Sequence, residues 1–308
     1  MGAEGFFPAG PHGGDGARLA RRLGVAAADV LDLSASLNPV APDLIPLLTR
    51  HLDAVGRYPD SGEATEALAD VLAVAPDRVL LTNGAAEAIA LVAAELGSGR
   101  IDEPEFSLYR RHLPLVDDAA PRWRSNPHNP SGRLAAPDEQ AAVWDEAFYP
   151  LATGEWSRRD PGAVVIGSLT KLFACPGLRL GWVVTPDDAL TDRLRARQPA
   201  WPVNALASAI LPELLALADL PGWAKAVAEL RDQLVTVLQA HGLDPQPSDA
   251  NWVLVPTADG LRDRLARQGV LVRDCASFGL PNTVRIAVPA DAGLTRLANA
   301  LSHSEPQS

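Results

Sequence analysis

The sequence is short of sulfur and of hydroxylated aromatics. Two cysteines, one methionine and three tyrosines stand among 308 residues. Cys175 and Cys275 are isolated, so neither a disulfide framework nor a CxxC metal or redox motif is available, which fits a reducing cytoplasm. The six histidines (His12, His51, His112, His128, His241 and His303) form no HxxxH or HExxH pair, and no metal site is expected. Positive charge is also in deficit: 27 Lys+Arg face 38 Asp+Glu, a net charge of −11. Such a chain has no bulk attraction for nucleic acid or an anionic membrane. The longest apolar stretch, Ala88 to Ala94, ends at Glu95, whereas a membrane span needs about 20 apolar residues. Met1 to Gly10 carries Glu4 and has no basic region followed by an apolar run, so it does not read as a secretory signal. Repeats, low-complexity tracts and long charge runs are missing, and only Ser302 to Ser308 reads as a frayed tail.

What remains is an ordinary globular balance, 47% hydrophobic and 21% charged. The length suits about two domains. Helical spacing marks Asp15–Leu23, Glu63–Leu72 with Ser61 as N-cap, Ala85–Leu96, Asp187–Arg197, Val203–Ala218, Gly222–His241, Gly260–Gln268 and Ala292–Leu301. Short apolar runs predict strands at Val30–Leu33, Val79–Thr82, Ala163–Gly167, Leu178–Thr185, Asn251–Val255, Val270–Arg273 and Thr283–Val288. Strands alternating with helices predict an α/β protein with a largely parallel sheet. The Pro-containing stretch Gln198–Asn204 is the expected boundary. A large domain over 38–199 then precedes a smaller α+β domain built from 1–37 and 200–308.

Five segments carry chemistry. Ser168-Leu169-Thr170-Lys171 follows a buried strand, and Arg179 lies eight positions on. A lysine amine can condense with an aldehyde, while a serine and an arginine can hold a phosphate. On its own, Lys171 reads more readily as a surface lysine after a strand. Asn83-Gly84-Ala85-Ala86-Glu87 sits between a strand and a helix, where free backbone N–H groups favour an anion. In Asn126-Pro127-His128-Asn129-Pro130-Ser131-Gly132, two Asn-Pro steps form a rigid turn that presents Asn129. Asp145-Glu146-Ala147-Phe148 puts a carboxylate at a strand end, placed for a ring nitrogen or simply as a cap. Arg285, in the apolar strand Thr283–Val288, is costly to bury without an anion, and a carboxylate suits its planar fork. Arg273 is a second anion-binding candidate.

The order of the motifs is more specific than any one of them. Asn38-Pro39, Tyr58-Pro59-Asp60, NGAAE, Pro104-Glu105-Phe106, NPHNPSG, DEAF, SLTK, GLRLGW and VRIAV together resemble the class I/II aminotransferase superfamily of pyridoxal-phosphate enzymes, from about His12 to Val288. The sequence is most similar to the branch holding histidinol-phosphate aminotransferases and cobalamin-pathway threonine-phosphate decarboxylases. The opening His12-Gly13-Gly14-Asp15 and the segment Leu31 to Pro39 lean to the decarboxylase side, as does DEAF where many transaminases read DEAY. The resemblance implies the aspartate-aminotransferase-like fold, a mostly parallel large-domain sheet plus a smaller α+β domain. It implies pyridoxal 5'-phosphate as cofactor. Lys171 would be the covalent lysine and proton shuttle. Asp145 would pair with the ring nitrogen, Asn129 with the ring oxygen, and Phe106 would stack on the ring. Gly84, Ala85, Ala86, Ser168 and Arg179 would hold the phosphate, with Tyr58 reaching it from the second subunit of a homodimer. Arg285 would clamp the substrate carboxylate, with Arg273, His12 and Asn38 near the rest of a phosphorylated substrate.

Two departures from the family pattern stand out. Phe148 lacks the hydroxyl of DEAY. Only Ser107 to Ser125 separates Pro104-Glu105-Phe106 from NPHNPSG, and Leu113–Trp123 is too short for an added helix and strand. That predicts a sheet shortened by one βα element. Three functions follow: decarboxylation of L-threonine O-3-phosphate as the lead, transamination of histidinol phosphate or another amino acid as the alternative, and a catalytically silent binding subunit as the third.

Overall fold

The computed structural model of the protein describes residues 6–10 and 12–303. Parts of the expected N-terminal stretch and frayed tail, residues 1–5 and 304–308, lie outside them. Strands along the described residues are β1 (Leu31–Leu33), β2 (Val79–Asn83), β3 (Ser98–Ile101), β4 (Leu115–Val116), β5 (Arg122–Ser125), β6 (Val143–Asp145), β7 (Val164–Ser168), β8 (Leu180–Val184), β9 (Trp252–Val255), β10 (Val270–Asp274) and β11 (Val284–Ala287). The chain divides into two compact units. The larger takes residues 41–129 and 134–224, and the smaller takes residues 1–40, 130–133 and 225–308.

The larger unit holds a seven-stranded sheet in the order β2-β8-β7-β6-β5-β3-β4. β7 pairs in parallel with β6, β6 with β5, and β3 with both β5 and β4. β8 alone is antiparallel, inserted between β2 and β7. Every residue of β7 and β8 is buried, which explains their nearly continuous apolar sequences, as expected of strands covered on both faces. Leu80, Ile89, Val92, Trp123, Val143, Ile166 and Val183 belong to one core cluster over this sheet. Each such side chain contributes roughly 1.5–3 kcal/mol by leaving water.

The smaller unit carries a four-stranded sheet in the order β1-β10-β11-β9. Its core joins Leu234 and Leu238 of the helix Leu220–Ala240 to Val253, Val270, Ile286 and Leu297. Among the described residues, no single helix is long and apolar enough to cross a membrane.

Two expectations are corrected. The boundary is not at Gln198–Asn204, because the helix Ala205–Ala216 packs on Gly62–Leu72 within the larger unit, where Ser61 Oγ meets Ser208 Oγ at 3.3 Å. The chain passes to the smaller unit between Ala224 and Lys225. Residues 130–133 also join that unit, held by the Trp252 Nε1–H bond to the Pro130 carbonyl (2.8 Å) and the Asp249 N–H bond to the Gly132 carbonyl (2.8 Å). Between Leu113 and Trp123 the chain forms only β4 and the first residues of β5, with no helix; the helix of this stretch, Ser107–His112, starts directly after Phe106. Ser61 caps no helix N–H with its side chain; Asp60 Oδ1 accepts from Gly62 N–H instead (2.9 Å).

Candidate active site

In the larger unit, the ends of β2, β6, β7 and β8 bring most of the predicted residues together. β8 is the centre of this arrangement. Gly181 lies opposite Thr82 on one neighbour and Ser168 on the other. A Cβ there would sit 2.4 Å from the Gly84 carbonyl carbon and 2.5 Å from the Ala85 nitrogen. Glycine therefore lets the start of the helix Gly84–Leu96 approach the sheet. Gly84 itself has φ +75°, and a Cβ on it would lie 2.3 Å from Arg179 Nη2. Arg179 adopts the left-handed conformation at φ 57° and reaches the Asn83 carbonyl through Nη2 (3.4 Å). Ser168 Oγ and Thr170 Oγ1 are 2.8 Å apart, both buried. A helix start, hydroxyls and a guanidinium thus line one cradle, a donor set matched to a phosphate ester. Of the predicted phosphate residues, Gly84 is buried, Ala85 half-buried and Ala86 exposed.

Lys171 stands in the single-turn helix Leu169–Leu172, half-buried, with Nζ 5.8 Å from the centre of the Phe148 ring. Asp145 ends β6 and is buried. Burial pushes its carboxyl up. The Tyr109 hydroxyl, which donates to Oδ2 at 2.7 Å, the Ala147 N–H, which donates to Oδ1 at 3.0 Å, and the Lys171 charge pull it down. A protonated ring nitrogen against this carboxyl would hold it ionised. Asn129 is buried, and its N–H donates to Ser125 Oγ at 2.7 Å. Phe106 is half-buried and meets the Tyr109 ring edge-on at 5.8 Å. These residues fit a phosphorylated pyridine aldehyde: a cationic cradle for its phosphate, an amine for its aldehyde, a buried carboxyl for its nitrogen and an aromatic face. Tyr58 stands apart, 79% exposed and stacked on Trp201 at 4.6 Å.

In the smaller unit, Arg285 of β11 and Arg273 of β10 are direct cross-strand partners, 7% and 4% exposed. Burial lowers both guanidinium pKa values, and the Arg273 charge adds to the effect on Arg285, which falls to about 10. Arg285 lies over the Trp252 ring at 4.8 Å, and Arg273 donates to Ser277 Oγ at 3.0 Å. Two adjacent buried cations suit an anionic ligand. His12 and Arg273 line one small cavity with Asp15, Ser34 and Arg262. Asn38 is buried and uses its Oδ1 to accept from Val40 N–H in a local turn (3.0 Å).

Three functional groups escaped the sequence reading: Tyr109, Glu105 and Glu146. The Glu146 carboxyl is buried beside Asp145, and burial raises it to about 7 against the pull of Ser157 and the Arg158 N–H. Its folded pKa exceeds its unfolded one, so the native state keeps a proton that the unfolded chain has lost. This contribution is complete below about pH 4.5 and is lost as pH rises through about 7. Glu146→Gln should therefore shrink the difference in melting temperature between about pH 5 and about pH 8. An unchanged difference would rule the assignment out.

Residues 123–301 match the sequence profile of aminotransferase class I and II. The chain is also 32% identical to the threonine-phosphate decarboxylase of Salmonella typhimurium, covering 94% of this chain and 95% of that one. The chain belongs to the class I and II aminotransferases. A second relative of this aminotransferase-family protein is histidinol-phosphate aminotransferase 2 of Methylococcus capsulatus, 30% identical over 84% of this chain and 86% of that one. The alignment with the Salmonella protein spans 349 positions against 308 residues, so the chain is internally shortened relative to it. The fold is that of the histidinol-phosphate aminotransferase of Sinorhizobium meliloti, whose crystal structure is a complex with pyridoxal-5'-phosphate. The TM-score is 0.82 at 18% identity, covering 97% of this chain and 95% of that one.

Proposed function

We propose that this chain is a pyridoxal-phosphate enzyme acting on a phosphorylated amino acid, and that it decarboxylates L-threonine O-3-phosphate for cobalamin synthesis. The observation that carries this reading is the cradle around Gly84, Ser168 and Arg179, with Lys171 and Asp145 beside it. The 32% identity to a threonine-phosphate decarboxylase along nearly the whole chain supports the choice of reaction.

When bound, the cofactor withdraws electrons from the substrate Cα. The Lys171 amine binds the aldehyde and later accepts or returns a proton at Cα. Asp145 would keep the ring nitrogen protonated, Asn129 would donate to the ring oxygen, and Phe106 would cover one ring face. Gly84, Ala85, Ala86, Ser168 and Arg179 hold the phosphate. Arg285 binds the substrate carboxylate, and Arg273, His12 and Asn38 orient the remainder, including the substrate phosphate. That orientation decides which Cα bond breaks.

The homodimer is part of this reading. Ile45, Leu52, Val55, Tyr58 and Trp201 are exposed apolar residues of the larger unit. The helix Ile45–Arg50 and the turn Leu52–Gly56, which carry three of them, both touch the helix Ala205–Ala216. A second copy covering this face would bury them, and the partner subunit's Tyr58 would reach the phosphate cradle. The cytoplasm is the proposed compartment.

Purified enzyme supplied with L-threonine O-3-phosphate and no 2-oxoglutarate should release carbon dioxide. Glutamate formation from histidinol phosphate and 2-oxoglutarate, with no carbon dioxide released, would instead establish the transaminase reading, which the Methylococcus relative favours.

A further inference from the structure

Behind Asp145 lie two buried groups that the proposed reaction leaves unused. Tyr109, on the helix Ser107–His112, is fully buried and donates from its hydroxyl to Asp145 Oδ2 at 2.7 Å. The Ser125 side chain also acts on this hydroxyl, opposing the rise that burial gives it. Ser125 pairs directly with Asp145 across β5 and β6, which fixes these groups side by side. The Ser125 hydroxyl bonds Glu105 Oε2 at 2.6 Å, and the Ser125 N–H donates to Oε1 at 3.0 Å. Asp145, Tyr109, Ser125 and Glu105 therefore lie in one buried row inside the larger unit, hydrogen-bonded as the pairs Tyr109–Asp145 and Ser125–Glu105.

Other charges face both ends of the row. Arg124 and His128 come within 3.8 and 4.0 Å of Glu105 Oε1. Lys171 and Glu146 interact electrostatically with Asp145. A phenylalanine at position 109 would fill the same volume without burying a hydroxyl, so the space alone does not call for tyrosine. Buried polar chains stabilise only when each member is satisfied, and this row ends on the carboxyl assigned to the ring nitrogen.

We propose that Tyr109 is a positioning residue for Asp145, and that Glu105, acting through Ser125, sets the direction in which this row donates. The proposal rests on the reading of Asp145 as the partner of the cofactor nitrogen. With Glu105 ionised, the Ser125 hydroxyl donates to it, away from Tyr109. With Glu105 protonated, its O–H donates to Ser125, the Ser125 hydroxyl turns to Tyr109, and Tyr109 donates to Asp145. Every O–H then points at Asp145, which favours its ionised form. Burial raises the Glu105 carboxyl to about 7, so the reversal falls near neutral pH.

The test follows the visible absorbance of the holoenzyme between about pH 5 and 9, once borohydride reduction has shown the cofactor on Lys171 in each variant. Tyr109→Phe should move the absorbance midpoint by about one pH unit and weaken cofactor binding about tenfold, the scale of one hydrogen bond to a charged group. Glu105→Gln should remove a titration step near pH 7 and change cofactor affinity by less than about threefold. Ser125→Ala cuts the same row at another link and should also remove that step. Circular dichroism separates these effects from misfolding. A Tyr109→Phe titration superimposed on wild type, while Asp145→Asn shifts the midpoint, overturns the proposal. If Asp145→Asn also leaves the midpoint in place, the assignment of Asp145 fails and takes the proposal with it.

Discussion

Lys171→Ala should yield a folded protein that forms no borohydride-reducible adduct with pyridoxal phosphate and turns over at least about a thousandfold more slowly. The size of the effect follows from two duties falling on one amine, attachment of the cofactor and proton transfer at the substrate Cα. Folding should survive, because Lys171 is half-buried at the edge of the site and its neighbours Leu169, Thr170 and Leu172 bury the turn. The same reduction on wild-type protein separates an enzyme from a silent homologue. Colourless wild-type protein that cannot be reconstituted, with Lys171 unlabelled, would establish the silent reading.

Gly181→Ala should lose about 2 kcal/mol of stability and, more tellingly, its preference for pyridoxal phosphate over pyridoxal. The added methyl would point into the Gly84 carbonyl carbon and the Ala85 nitrogen, so it cannot be absorbed by rotating a side chain. The start of the helix Gly84–Leu96 must retreat from β8, and the N–H groups proposed to hold the phosphate retreat with it. Denaturant unfolding reads the stability term, and titration with the two cofactor forms reads the cradle. Full retention of the phosphate preference would show that the helix start does not hold that group.

The motifs were legible because each is compact. DEAF and SLTK each place a strand end and a candidate side chain within a few residues, and NGAAE places a strand end and a helix start together. The long helices and the apolar strands β7, β8 and β11 were legible for the same reason, since their burial patterns are local. Ser98–Ile101, with the sequence SGRI, escaped notice because it has one β-branched residue and its place comes from pairing with β4 and β5. Tyr109 and Glu105 escaped because their partners lie 36 and 20 residues away and meet them only when β5 pairs with β6. The PEF motif drew attention to its phenylalanine, although its glutamate is the more deeply buried of the two. The domain boundary was misplaced because Pro199 and Pro202 mark a change of direction, whereas packing against Gly62–Leu72 decides where the next helix belongs.

The antiparallel strand β8 has a consequence for synthesis on the ribosome. Among the described residues β2 has β8 as its sole neighbour in the sheet, and the paired residues Leu81 and Trp182 are about a hundred positions apart. At roughly 5–20 residues per second, β2 and the apolar helix after it emerge about 5–20 s before the strand that joins them to the rest of the sheet. The half of the phosphate cradle translated first therefore waits, with an unpaired edge, for the half translated last. A nascent chain stalled before Leu180 would expose that edge to chaperones or to other chains.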